Sequence, residues 1–158
     1  MKKRRIIRII SRVCFFIYML CLVYFLLLSD GFGRLEGYTE YRYNLKPFQE
    51  IMRFVKYRNY IDFTSVVVNL LGNVIAFVPF GALIRWVLNR KIYWYQAVAY
   101  TFLFSLCVEL LQLVARVGVF DVDDLILNTL GGLVGFWVYY ILLLLNRRSE
   151  RRHEGKCV

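Results

Sequence analysis

Four apolar runs take up most of this chain: Ile6–Leu28, Thr64–Leu88, Ile92–Ala115 and Leu125–Leu145. Each is long enough to cross a hydrocarbon layer of about 30 Å at a rise of about 1.5 Å per helical residue. A bilayer core holds no water to bond exposed backbone, so every N–H and C=O must find a partner inside its own segment. Such runs therefore fold as helices unless they close a barrel. Barrel strands alternate apolar with polar residues, and these runs do not. The expected fold class is all-α, an integral membrane bundle of four transmembrane helices. A hydrophobic share of 59% in 158 residues argues equally against a water-soluble core.

The net charge of +10 is the feature that could mislead. It raises the question of a nucleic-acid partner, but the cations stand in short blocks between the apolar runs and not on one basic face, so they read as membrane flanks. Cytoplasmic loops retain Lys and Arg. With both termini in the cytoplasm, that side holds the block at 1–5, Arg85, Arg90 and Lys91, and a basic tail at 146–158. The opposite side then holds 29–63, which mixes both signs, and an acidic turn at 116–124. Arg8 and Arg12 fit anchors whose stems follow the first helix to the headgroups. The first run is longer than a signal-peptide core, and Ser29-Asp30-Gly31-Phe32 lacks a small-x-small cleavage site, so a retained anchor is expected. The residues before Cys14 and Cys21 do not fit a lipid-attachment site. Cys14, Cys21, Cys107 and Cys157 have neither disulfide-framework nor metal-ligand spacing. No cofactor is indicated.

Within 29–63, Ile51, Met52, Phe54 and Val55 crowd one side of a helix, with Arg53, Lys56 and Arg58 around it. This predicts an amphipathic helix near 48–58, entered through Pro47 and lying on the outer headgroups.

An ionisable or amide side chain at membrane depth costs about 2–3 kcal/mol by insertion scales, so each needs a partner, a wet cavity or a ligand. Asn69 and Asn73 share one face of the second span, ahead of Pro79. Glu109, Gln112 and Arg116 share a face of the third, and Asp121, Asp124 and Asn128 one of the fourth. All lie toward the outer side in this topology, so they can meet as one polar cluster, with Arg116 the cation closest to Glu109 by spacing. Plainer roles are open to several of them: Asp121 as a helix N-terminal cap, the asparagines as interhelical hydrogen-bond glue, Glu109 in a structural ion pair. Gly72 and Gly81 in the second span, and Gly131, Gly132 and Gly135 in the fourth, fit close helix approach.

Several stretches resemble the VanZ-like family: Asn44-Leu45-x-Pro47-Phe48, Asn69-Leu70-x-Gly72-Asn73-x3-Phe77-x-Pro79-x-Gly81, Glu109-x2-Gln112 and Phe120-Asp121-x2-Asp124-x3-Asn128-x2-Gly131-x3-Gly135. The resemblance covers residues 44–135 and implies a multi-pass bacterial cell-membrane protein with low-level resistance to the glycopeptide teicoplanin. The expected partners are membrane lipids and a lipid-linked cell-wall precursor or a lipoglycopeptide, bound or shielded at the outer leaflet. The contacts expected for it are Asn69, Asn73, Glu109, Gln112, Asp124 and Asn128, within a cluster that includes Arg116 and Asp121. Two alternatives stand beside this non-enzymatic reading. One is a membrane-embedded enzyme acting on a lipid-linked envelope precursor, with Glu109 as acid, Asp124 ionised, or a divalent cation on Asp121, Asp123 and Asp124. The other is a small proton-coupled carrier using Glu109. Against the enzyme stands the lack of a nucleophile motif, a His ligand or a phosphate cradle. The sequence leaves the oligomeric state open.

Overall fold

The computed structural model describes residues 2–28, 41–49, 52, 56 and 63–154, though not the side chains at 2–5, 7–8, 28, 63–69 and 149–154. Four long helices dominate: α1 (Lys2–Leu28), α2 (Phe63–Leu88), α3 (Trp94–Ala115) and α4 (Val122–Glu154). Their apolar stretches, Ile9–Leu27, Leu70–Leu88, Trp94–Ala115 and Val122–Arg148, each have the length and composition of a membrane span. Two-residue strands β1 (Tyr43–Asn44) and β2 (Phe120–Asp121) pair in parallel, Tyr43 opposite Phe120 and Asn44 opposite Asp121. The apolar pattern did not foretell this small ladder. Of the amphipathic segment expected at 48–58, Gln49, Met52 and Lys56 are helical, and the amide of Met52 donates to the carbonyl of Phe48 at 2.8 Å. Phe48 precedes them in a turn, and the other residues of the segment lie outside the described ones.

Short connections turn the chain back between α2 and α3 and between α3 and α4, and the bond from Gln112 to Leu26 sets the end of α1 beside that of α3, which brings the last turns of α1 and α3, the first turn of α4 and the β1–β2 ladder to one end of the bundle. This is called the polar end below. Helix α3 starts at Tyr93, whose amide donates to the side chain of Gln96 at 3.1 Å, as in half of a capping box. It stops where Arg116 turns left-handed at φ 56. Arg116 then donates to Leu113 at 3.2 Å and Val117 to Gln112 at 3.1 Å, the paired closure that occupies the final carbonyls of a helix. Helix α4 begins at Val122, with Asp123 and Asp124 in its first turn. It continues as a helix to Glu154, through most of the basic tail.

Glycines decide how α2 and α4 approach. A methyl group on Gly81 would overlap the carbonyl of Gly132, one on Gly131 that of Val74, and one on Gly135 that of Val78; on Gly132 it would overlap the side chain of Thr101. Gly72 departs from the expectation of close packing, because among the described residues a Cβ there meets nothing within 4 Å. Toward the other end, Phe80, Ile84, Ile92, Ala97 and Phe136 form the apolar core, and Phe80 stacks on Phe104 with centroids 5.2 Å apart. Phe15, Tyr18 and Met19 bring α1 against this core. Arg12 also joins α1 to α2, donating to the carbonyl of Val87 at 3.5 Å in the last turn, where helix carbonyls lack partners.

Candidate functional site

At the polar end, five ionisable or amide side chains are almost wholly enclosed: Asn73, Glu109, Asp121, Asp123 and Asn128. Asp121 lies in β2 at the start of α4, and the other four are set by helical spacing on largely apolar helices. On α3, Thr101, Ser105 and Glu109 recur every four residues and so line one face, all buried. On α4, Asp124 and Asn128 do the same.

Hydrogen bonds join the three packed elements and the segment at 41–49. Asp121 is the N-cap of α4: its Oδ1 accepts the amide of Asp123 at 2.8 Å. The same carboxylate takes the side-chain amide of Asn44, 3.2 Å from both oxygens. The backbone amide of Asp121 donates in turn to Oε2 of Glu109 at 3.0 Å. Asp123 accepts the amide of Phe48, a residue held at φ 63. Asp124 accepts Nδ2 of Asn73, linking α2 to α4. Asn128 donates to Oγ of Ser105 at 2.8 Å, while its own Oδ1 is buried with no hydrogen-bond partner among the described residues. Leaving such an acceptor unmet costs about 1–3 kcal/mol.

Asp121 lies just beyond the membrane spans. Burial raises its carboxyl above the ordinary aspartate range; the Asp123 amide and the Asn44 side chain oppose the rise, and the charge of Asp123 adds to it.

The carboxylates do not converge on one point. Asp121 faces Asn44 and the start of α4, Asp123 the backbone of Phe48, and Asp124 the amide of Asn73. Among the described residues, no group of three or more His, Cys, Asp or Glu is arranged to hold a metal ion.

Of the residues singled out from the sequence, Asn73, Glu109, Asp121, Asp124 and Asn128 meet here. Gln112 instead reaches α1, donating to the carbonyl of Leu26 at 2.7 Å and so holding the last turn of that helix. Arg116 is exposed and lies over the ring of Tyr41, 4.7 Å from its centroid, while Glu109 takes a backbone amide. Asn69 is in α2, but its side chain lies outside the described residues. The sequence reading gave no functional part to Ser105, although its place four residues before Glu109 was a signal. Asn44 was noted only within a motif, and its link to Asp121 spans 77 positions that no local pattern connects.

Above this network a depression of about 540 Å³ is lined by Tyr41, Arg42, Tyr43, Asn44, Gln49, Val119 and Asp121. Its wall carries cationic, amide and carboxylate groups together. Glu109 sits one hydrogen bond beneath it, through the backbone of Asp121.

Four apolar helices with charged and amide groups buried at one end define a multi-pass helical membrane protein carrying a polar site at the edge of its spans. The chain belongs to the VanZ/LLP1 family, whose sequence profile matches residues 15–144. It is similar to Protein VanZ of Enterococcus faecium, with 31% identity over 134 residues, covering 84% of this chain and 74% of that protein. No solved structure matches the chain.

Proposed function

We propose that this protein contributes to low-level teicoplanin resistance in a bacterial cell membrane by binding or shielding a ligand at the outer leaflet. The ligand is a lipoglycopeptide or the head of a lipid-linked cell-wall precursor. In this reading both termini face the cytoplasm, as the distribution of Lys and Arg favours, and the polar end faces outward. The likeness to Protein VanZ supports the resistance role.

The observation that carries the binding reading is the depression bounded by Asn44, Arg42 and Asp121. It offers a mixture of donors, acceptors and charge at the level where the polar part of a membrane-anchored ligand lies, above an apolar bundle that keeps water out. Rim groups make the first contacts. Asn73, Glu109, Asp124 and Asn128 hold the floor and supply the buried acceptor of Asn128 beneath it. An enzymatic role has less support, because each Asp carboxylate is already turned to a separate N–H donor of the protein.

The test is susceptibility of a sensitive Gram-positive host expressing this protein or its Glu109→Gln variant at matched membrane abundance. The expected result is a higher inhibitory concentration for teicoplanin, none for vancomycin, and loss of the effect in the variant. An unchanged teicoplanin value with the wild-type protein would sink the reading.

A further inference from the structure

An apolar groove of about 300 Å³ runs between α1 and α2. Tyr18, Leu22, Phe25 and Leu26 form one wall, and Gly72, Ile75, Ala76 and Pro79 the other. From Tyr18 to Leu26 it extends for about 12 Å at helical rise. Asn73 also lines it, and the same side chain donates to Asp124 in the polar network. The groove thus reaches, at Asn73, one side chain of the polar network.

Specific contacts fix its two walls relative to each other and to α3. The hydroxyl of Tyr18 donates to the carbonyl of Ala76 at 2.6 Å, in the turn ahead of Pro79, where the missing proline N–H loosens the helix. Gln112 holds the carbonyl of Leu26 at the polar end. Gly72 lines the groove as well. A glycine inside a helix costs about 0.5–1 kcal/mol relative to alanine. Gly81, Gly131, Gly132 and Gly135 offset that by close approach, whereas a Cβ on Gly72 meets open space. The effect of the missing side chain at 72 is to leave the groove unfilled.

We infer that this groove seats one fatty-acyl tail of a membrane amphiphile whose polar part lies at the polar end. The groove is apolar and sits within the membrane-spanning stretches, so water gains no partners in it and a flexible hydrocarbon chain does. Asn73 at its edge, bonded to Asp124, sets the polarity of the occupant, tail among the helices and head at the network. The inference rests on the ligand-binding reading above and adds the chemical class: the tail is part of what is recognised.

The full chain, reconstituted in phosphatidylcholine–phosphatidylglycerol vesicles with a trace of phosphatidylcholine bearing a diazirine in its acyl chain, provides the test. Photoadducts are mapped by mass spectrometry in the presence of teicoplanin, vancomycin or lysophosphatidylcholine. Expected are adducts at Tyr18–Leu26 and Gly72–Pro79 that teicoplanin and lysophosphatidylcholine reduce and vancomycin does not. Adducts at Leu142 and Leu145, on the exposed face of α4, stay unchanged under all three. Gly72→Leu, which fills the groove, removes the groove adducts while sparing those on α4. Displacement by lysophosphatidylcholine but not teicoplanin would support the tail seat and overturn the lipoglycopeptide reading. Groove adducts that no tailed competitor lowers would mean a seat for bulk lipid and overturn the inference, as would adducts that persist in Gly72→Leu.

Discussion

Asp121 joins three parts of the network: its carboxylate caps α4 and takes the side chain of Asn44, and its backbone amide donates to Glu109. Its position there has a consequence in pH. Folding raises its pKa, mainly through burial, so the folded protein holds this proton more tightly than the unfolded chain does. The group's contribution to stability is therefore greatest in acid and falls as pH rises from the ordinary aspartate value of about 3.9 through the raised one. Asp121→Asn keeps a good N-cap and removes the titration. Thermal unfolding in detergent from acid to neutral pH is expected to show a shallower decline for the variant, and identical slopes would contradict this account. Asp124→Asn makes a separate prediction at the same scale. It keeps an oxygen for Asn73 but removes a charge, so resistance is expected to fall while membrane abundance, measured by immunoblot, stays unchanged. A drop in abundance would make Asp124 structural.

Between elements, the glycines of α2 and α4 divide into two kinds that look alike as letters. Gly132→Ala drives a methyl group into Thr101, and Gly81→Ala drives one into the backbone of Gly132, which has little room to move. Overpacking of this kind costs about 1–3 kcal/mol. Gly72→Ala meets no neighbour and is expected to stabilise the helix by about 0.5–1 kcal/mol. Resistance to unfolding in mixed sodium dodecyl sulfate micelles separates the cases: the midpoint falls for Gly81→Ala and Gly132→Ala and rises for Gly72→Ala. A fall for Gly72→Ala would show that the space beside it closes in the folded protein. The β1–β2 ladder works at this scale too. With the Arg116 guanidinium over Tyr41 and the amide of Phe120 donating to the carbonyl of Arg42 at 3.1 Å, it ties the segment at 41–49 to the turn between α3 and α4.

For the whole molecule, the bundle separates an apolar half, built on Phe80, Phe104 and Phe136, from a polar end where the network and the depression lie. Cysteine labelling checks its orientation in a background where Cys14, Cys21, Cys107 and Cys157 are replaced by Ser. A cysteine at Lys46 is expected to react with a membrane-impermeant maleimide on intact cells, and one at Arg147 only after permeabilisation; the reverse pattern would invert the topology and remove the outer-leaflet reading. Much of this architecture was legible in the chain. Length and hydropathy are sums over neighbours, and in a solvent without hydrogen bonds they leave the backbone few choices, so four helices followed. Helical periodicity likewise put Asp124 on the face of Asn128, and the same spacing from Ser105 to Glu109 was there to be read. Partners were another matter. That Glu109 meets the amide of Asp121 while Arg116 turns to Tyr41, that Asn44 closes on Asp121, and that Gly72 faces open space depend on how helices rotate and dock. Contacts between distant segments set that docking, and the spacing of residues along one helix carries no record of it.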